Sequence, residues 1–208
     1  MTMLNTEALI EPIALKVDIT QQLSKVPDYL QILSDAKLLP IIWQLRSQLY
    51  NKRYSGFSNE ETDNFDQYSL VLYSQNAHQH IISTGRLVID SESGLPADEY
   101  VKDELDILRT QGLMLAEPSK FAISKEAQGL LVTYLQTFYE IGMALNIDVF
   151  IFIINRKNVG LYEKMVDAKV LKEDIVYSYG TTSRFSLLIC SIQKELPYFF
   201  SAGSNDHE

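Results

Sequence analysis

Four carboxylates lie within seven residues in the first half of the chain, at Glu60, Glu61, Asp63 and Asp66. They could hold a substrate ammonium group, or they could lock their loop by pairing with arginines. We predict that at least one of them pairs with Arg46 and Arg86, because Arg–carboxylate forks order such segments. No histidine or cysteine lies near them in the sequence, so we predict no metal site.

A second chemical feature is the start of a predicted helix at residue 126, directly after a predicted strand. The first turn of a helix presents free backbone N–H groups and the positive end of the helix dipole. Such a terminus suits a pyrophosphate or phosphopantetheine group, and Lys125 would add positive charge there.

The composition is that of a soluble globular chain, with 46% hydrophobic and 22% charged residues. The longest uninterrupted apolar run, 149–154, is too short to span a bilayer. Residues 1–7 lack the basic start and apolar core of a secretory signal. The single cysteine, Cys190, cannot form an internal disulfide and is predicted to be a buried hydrophobe. These features lead us to expect a cytoplasmic protein.

The net charge of −9 argues against nonspecific nucleic-acid binding. Residues 153–172 reverse this balance, with five lysines and arginines against two acidic residues. A basic segment on an acidic protein could receive an anionic partner through Arg156, Lys157 and Lys164. The alternative is a solvated helix face that carries a few lysines.

Apolar periodicity and turn signals predict one mixed α/β domain at 37–200, preceded by an arm at 1–36 and followed by a disordered tail at 201–208. The predicted helices and strands alternate along the chain, as expected for a mixed sheet flanked by helices. The predicted helices are 38–54, 98–109, 126–145 and 158–165. The predicted strands are 69–74, 80–90, 115–123 (interrupted at Pro118), 148–154, 169–172 and 184–193.

The second half of the chain resembles the GNAT acyltransferase superfamily. A strand leads directly into a long helix, and a buried strand then ends in the run Asn-Arg-Lys-Asn-Val-Gly-Leu-Tyr-Glu-Lys at 155–164. The resemblance implies a splayed central sheet and a tyrosine, Tyr162, that protonates the leaving thiolate. It also implies that the thioester donor binds along the end of the first strand and the start of the helix. The implied donor-binding residues are Ile123, Lys125, Gln128, Gly129 and Asn155.

Two GNAT features are absent. The family's pattern continues into Gly-Phe, where this chain has Met165-Val166. Its Arg/Gln-x-x-Gly-x-Gly/Ala motif for acetyl-CoA has no match, since 125–130 reads Lys-Glu-Ala-Gln-Gly-Leu. These departures count against an acetyl-CoA-dependent N-acetyltransferase.

The first half resembles acyl-homoserine-lactone synthases. The run Glu-Thr-Asp-Asn-Phe-Asp at 61–66 is similar to their Glu-x-Asp-x-Phe-Asp signature, with Leu45-Arg46 upstream and Gly85-Arg86 downstream. The run Glu-Pro-Ser-Lys-Phe-Ala-Ile at 117–123 is similar to their Glu-x-x-Arg-Phe-Ala-Val, with Lys120 in place of arginine. The stretch 104–109 is closer to N-acyl amino acid synthases. Both groups resemble enzymes that take a fatty acyl chain from acyl carrier protein.

This resemblance implies a substrate site, and the implied binding residues are Arg46, Asp63, Asp66, Arg86 and Lys120. Glu117 would act as general base, or it would be a structural carboxylate bonded to Lys120 or Arg86. Tyr162 would act as the acid, or it would only pack on the sheet. Lys120 lacks the planar fork of an arginine, and the tryptophan of autoinducer synthases has no match, since Trp43 precedes Arg46 instead.

We therefore predict an N-acyltransferase that moves a medium or long acyl group to the amine of an amino acid. The donor would be acyl carrier protein, docked on Arg156, Lys157 and Lys164, or acyl-CoA. The acyl chain would lie among core side chains, or these would form plain core: Phe121, Leu131, Leu135, Phe150 and Phe152. The alternatives are a lactone synthase, an acetyl-CoA-dependent N-acetyltransferase and an inactive acyl-binding protein.

Overall fold

The computed structural model describes residues 27–53, 64–176 and 183–192, together with Pro197 and Phe200. Within these residues four helices pack on one seven-stranded sheet of order β1-β2-β3-β4-β5-β7-β6. The strands are β1 (Gln31–Ile32), β2 (Ser69–Gln75), β3 (Ile81–Ile89), β4 (Leu115–Ile123), β5 (Val149–Asn155), β6 (Lys169–Ile175) and β7 (Phe185–Ser191). The helices are α1 (Leu39–Arg53), α2 (Asp98–Thr110), α3 (Leu130–Ala144) and α4 (Val159–Val166).

The helices divide between the two faces of the sheet. On one face α1 packs its Ile42 against β2, and α2 packs its Leu105 against β3, β4 and β5. On the other face α3 and α4 cover the aromatic side of the core, through residues such as Phe138 and Met165. Alternate residues of each strand point to opposite faces, so each strand contributes to both halves of the core.

The predicted order of elements agrees with the structure, with two corrections. The predicted helix at 126–145 begins later, at Leu130, and a 3-10 turn at Lys125–Ala127 precedes it. Gly129 separates the two because its φ of +95° is left-handed, a conformation that glycine adopts without steric cost. β4 is not interrupted at Pro118; its irregularity is a bulge at Lys120 and Phe121, which together oppose Gly85 of β3.

The sheet opens between β4 and β5, and this opening positions the candidate site. These two strands run parallel but pair only at Leu115 with Val149 and at Ala116 with Phe150. The Leu115 carbonyl accepts a hydrogen bond from Asp90 on the β3 side. Because backbone groups of successive residues point to alternate sides of a strand, Pro118 faces β5. Proline lacks the N–H that a further rung of the β4–β5 ladder would need, so the strands separate there.

Some predictions fall outside the described residues. They concern most of the arm, Asp63 with its neighbouring acidic residues Glu60 and Glu61, and the tail at 201–208. From the predicted arm the structure describes β1 and a 3-10 turn at Ala36–Leu38, which continues into α1.

Candidate active site

Asp66 is the centre of a buried polar cluster on the face of the sheet that α1 covers. Arg46 of α1 donates from Nη1 to both carboxylate oxygens, at 2.9 and 2.7 Å. Arg86 of β3 donates from Nη1 to Oδ1 at 3.2 Å, and Trp43 donates from Nε1 to Oδ2 at 2.6 Å. The predicted pairing of an acidic-motif carboxylate with both arginines is therefore present at Asp66.

The surroundings of the buried Asp66 carboxyl favour its ionised form. Burial opposes ionisation of the Asp66 carboxyl, but the charges of Arg46 and Arg86 and hydrogen bonds from Arg46 and Trp43 outweigh it. They hold the pKa of Asp66 below its ordinary value, so the carboxylate stays ionised. Arg46 and Arg86 are both 0% exposed.

Arg46 uses only one of its three nitrogens on Asp66. Its Nε and Nη2 are buried and have no hydrogen-bond partner among the described residues. These two nitrogens form one edge of the guanidinium plane, whose parallel N–H groups match the two oxygens of a carboxylate. A buried donor pair of this kind costs free energy unless an acceptor reaches it.

Glu117 lies on β4 on the same face of the sheet and is 6% exposed. Its Oε2 accepts a hydrogen bond of 2.8 Å from the backbone N–H of Ala97, the residue before α2. Pairing of Glu117 with Lys120 or Arg86, which the sequence analysis considered, stays a prediction. The hydrogen bond from Ala97 directs one carboxylate oxygen towards the start of α2, beside the point where β4 leaves β5.

Lys120 occupies the bulge of β4. Its φ of +52° is unusual for a residue with a side chain, and such strained conformations concentrate at functional sites. Gly85 opposes the bulge, and a Cβ there would lie 2.9 Å from Tyr134 Cδ1 and 3.1 Å from Phe121 Cδ1. A glycine at position 85 is therefore needed to let the bulged strand and α3 approach β3.

Tyr162 lies in α4 on the opposite face and is 6% exposed. Its ring packs edge-to-face on Phe152 of β5, with ring centroids 5.2 Å apart. This contact places Tyr162 against the strand that borders the opening. The packing that the sequence analysis gave as an alternative is therefore present, while the role of Tyr162 as an acid stays a prediction.

The predicted donor-binding residues surround the end of β4 and the start of α3. Ile123 ends β4, whereas Lys125, Gln128 and Gly129 are exposed in the connection to α3. No side chain caps the N-terminus of α3. Asn155 ends β5 and accepts a hydrogen bond from Lys157 N at 3.2 Å, so its side-chain oxygen caps the following 3-10 turn.

The predicted basic surface is less positive than its sequence indicates. Arg156 pairs with Asp174 at 3.2 Å and with Glu173 at 3.5 Å, because β6 brings these acidic residues beside it. Lys157 and Lys164 are exposed and form no ion pair with the described residues. Leu161 lies between them along α4 and is also exposed.

The sequence analysis did not predict three residues of the site. Ser119 accepts a hydrogen bond from Arg86 Nε at 3.3 Å, and Ala97 donates to Glu117. Trp43 was seen in the sequence but was not placed in the cluster. Its position three residues before Arg46 on a predicted helix puts both side chains on one face, which was the available signal.

The remaining candidate groups are structural or solvated. Cys190 is buried, and burial raises the pKa of its thiol to about 12, as expected for an inert core residue. His78 and His80 are exposed in the β2–β3 turn. In the described part of the chain no group of acidic, histidine or cysteine residues could hold a metal ion. None of the described helices is long and apolar enough to cross a membrane.

Comparison with known proteins gives the family. The sequence model of the N-acyl amino acid synthase FeeM family matches residues 42–189, which include every described member of the Asp66 cluster and Glu117. A search of the curated proteins finds no match.

Solved structures agree with the fold. The structure of FeeM, an N-acyl amino acid synthase from uncultured soil microbes, is 19% identical with a TM-score of 0.67, covering 78% of this chain and 89% of that one. The acyl-homoserine-lactone synthase LasI is 18% identical (TM-score 0.56, 79% and 89% covered). A putative N-acetyltransferase from Lactobacillus plantarum is 11% identical (TM-score 0.58, 80% and 100% covered). The fold is thus GNAT-like, and the chain belongs to the FeeM N-acyl amino acid synthase family and is an N-acyltransferase.

Proposed function

We propose that the chain transfers a medium or long fatty acyl group from the phosphopantetheine thioester of acyl carrier protein to the amine of an amino acid. The observation that carries this proposal is an anion-binding group and a proton-accepting group on one face of the sheet. Arg46 presents a buried guanidinium edge that has no partner among the described residues, and Glu117 is buried on the same face of the sheet. An amino acid has the matching carboxylate and amine.

The reaction needs a neutral amine, a group that accepts the proton of the amine and a group that donates a proton to the departing thiolate. The amine nitrogen attacks the thioester carbonyl, and Glu117 takes the proton that the nitrogen loses. The carbon–sulfur bond then breaks, and Tyr162 protonates the leaving thiolate. The edge-to-face contact of Tyr162 with Phe152 supports this role, because it places the phenol on the side of the opening opposite to Glu117.

The acceptor would bind through its carboxylate to Arg46. Asp66, which also accepts a hydrogen bond from Arg86, holds this guanidinium in place, and Asp63 and Lys120 would complete the acceptor site. The buried Nε and Nη2 of Arg46, which have no hydrogen-bond partner among the described residues, support an anionic ligand, since buried donors cost free energy unless an acceptor reaches them. An acceptor that lacks a carboxylate should therefore be a poor substrate.

The donor would lie between β4 and β5, with its phosphate at the uncapped start of α3. Lys125 is exposed there, and Ile123, Gln128, Gly129 and Asn155 border the same end of the opening. The acyl chain would extend into the core of the α3 face. Phe121 and Leu131 are half-buried at its border, whereas Leu135, Phe150 and Phe152 are fully buried behind them.

Acyl carrier protein would dock on α4. Lys157 and Lys164 offer charges that no described residue pairs with, and the exposed Leu161 between them offers an apolar contact. Arg156 contributes less, because Glu173 and Asp174 already pair with it. Charge complementarity of this kind mainly raises the rate of association.

The test is an acylation assay with carrier-protein thioesters of eight to sixteen carbons, each offered all twenty amino acids and their primary amides. Released thiol and product mass are measured. We expect N-acyl amino acids, no acylated amides, and a loss of about 10²- to 10⁴-fold in E117Q. Acylated amides would contradict the carboxylate site at Arg46. Turnover of acetyl-CoA alone would replace the proposal with the acetyltransferase alternative.

The donor is tested separately by comparing acyl carrier protein with the matching acyl-CoA. The double reversal K157E/K164E should raise the KM for the carrier-protein donor and leave the KM for acyl-CoA unchanged. K169E, a reversal of an exposed lysine on β6, is the matched control. Equal effects of the double reversal on both donors would contradict docking at α4.

A further inference from the structure

A second cluster of charged side chains lies outside the site, around Arg109 near the end of α2. Arg109 donates from Nε and Nη2 to the two oxygens of Asp90, at 2.7 and 3.0 Å. It donates from Nη1 and Nη2 to the two oxygens of Asp98, at 2.7 and 2.8 Å. A further bond of 2.8 Å joins Nη1 to Asp106. All five N–H groups of the guanidinium are therefore used.

The two forked partners of Arg109 stand at the two ends of one loop. Asp90 directly follows β3, and Asp98 begins α2. Asp98 also accepts a hydrogen bond from Leu95 N at 2.7 Å. Its carboxylate would lie 2.6 Å from a Cβ at Gly94, so the loop folds tightly over this side chain. The loop is thus closed by one guanidinium rather than by apolar packing alone.

The last residue of the same loop, Ala97, contacts Glu117. Ala97 lies between Leu95 and Asp98, is 1% exposed, and donates its N–H to Glu117 Oε2 at 2.8 Å. The position of the Ala97 N–H therefore contributes to where this carboxylate oxygen is held. A chain of direct contacts runs from Arg109 through Asp98 and the loop backbone to Glu117.

We propose that Arg109 is a positioning residue for acyl transfer, which holds the loop 90–97 so that Ala97 N–H orients the Glu117 carboxylate towards the acceptor amine. This inference rests on the proposed role of Glu117 as general base. Arg109 touches no substrate and acts through the loop. Lysine cannot replace it, because one ammonium group cannot fork to Asp90 and Asp98 together.

The test is a double-mutant cycle on turnover, with dodecanoyl acyl carrier protein and the mixture of twenty amino acids as substrates. R109Q should lower turnover by roughly 10- to 100-fold, since small displacements of a reacting group have effects of this size. In the E117Q background the same change should lower turnover by less than about threefold, because coupled residues are not additive. R109K should remain as slow as R109Q, and K102Q, which removes a neighbouring cation of α2, should match the parent.

A second measurement tests the clamp without activity. Hydrogen exchange of the Ala97 amide should be faster in R109Q by about tenfold or more, and unchanged in K102Q. Equal losses of turnover from R109Q in the two backgrounds, full activity of R109K, or unchanged Ala97 exchange would each overturn the proposal. Full activity of E117Q, or a parent without thiol release, would instead refute the proposed function, and Ala97 exchange would still test the clamp.

Discussion

Arg46 and Arg109 make opposite use of the same side chain. Arg109 is partly exposed and directs all five N–H groups to three aspartates of one loop and helix. Arg46 is fully buried and directs one nitrogen to a single aspartate, which it shares with Arg86. In the partly exposed Arg109 every N–H group has an acceptor, whereas the buried Arg46 leaves two nitrogens without a partner among the described residues.

The comparison contrasts a residue that closes a loop with a residue that we propose also binds a ligand. A guanidinium that serves only to close a loop gains most by engaging every donor, as Arg109 does. A buried guanidinium edge, which at Arg46 no described residue contacts by a hydrogen bond, is costly unless an acceptor reaches it. Substitutions in the Asp66 cluster should therefore affect the protein more than substitutions in the Arg109 cluster.

The largest effect should come from D66N. This change leaves Arg46 and Arg86 buried without the carboxylate that both contact. Loss of one partner of a buried ion pair costs about 3–5 kcal/mol of unfolding free energy. Urea unfolding of the parent and of D66N measures this loss, with D106N, at an exposed carboxylate beside Arg109, as the control. A D66N protein as stable as D106N would show that burial does not set the two clusters apart.

W43F should have the next largest effect. The change keeps an aromatic ring but removes the hydrogen bond to the ionised Asp66. A hydrogen bond to a charged group contributes about 1.5–3 kcal/mol, and a neutral one about 0.5–1.5 kcal/mol. Y73F is the matched control, because Tyr73 donates to the neutral side chain of Gln31 at 2.7 Å. Equal losses of stability in W43F and Y73F would mean that the indole does not stabilise the charge of Asp66.

The pairing of Asp66 with Arg46 and Arg86 could be predicted from the sequence, but the contact of Trp43 could not be predicted with the same ease. Opposite charges on a predicted helix, loop and strand limit the partners that each can find. The neutral indole N–H of Trp43 could donate to many acceptors, and the spacing of Trp43 and Arg46 predicts only that they share a helix face. Glu117 was harder still, because a bond to the backbone of Ala97 depends on how a loop approaches β4. The identity of the side chains does not predict where that loop lies.

The fold could be predicted where the apolar periodicity was strong. It was harder to predict where the backbone conformation of one residue sets an element boundary or a bulge. The order of strands and helices followed from apolar patterns. The late start of α3 depends on the left-handed φ of Gly129, and the bulge of β4 depends on the same kind of φ at Lys120. Lysine gives no signal for that conformation, since the register with β3 imposes it.

Low pH should destabilise the folded chain by protonating Asp66. Because its pKa is lower in the folded chain than in the unfolded one, Asp66 contributes stability above about pH 4 that is lost as the pH falls through the folded pKa. One such group changes the unfolding free energy by at most about 1.4 kcal/mol per pH unit. The slope below pH 4 should be shallower in D66N than in the parent, and Trp43, the single tryptophan, reports it by fluorescence. Equal slopes would mean that protonation of Asp66 does not govern acid unfolding.

The smallest effect should come from K102Q, at the exposed edge of the Arg109 cluster. Lys102 pairs with Asp106 at 2.9 Å one helical turn away, and the side chains are 63% and 45% exposed. Solvent screens such a pair, and ordering two mobile side chains offsets what attraction remains. Asp106 also keeps its bond to Arg109. We therefore expect no resolvable change in melting temperature, against a clear decrease in R109Q. A decrease in K102Q as large as that in R109Q would show that Asp106, and not the fork to Asp90 and Asp98, holds the loop.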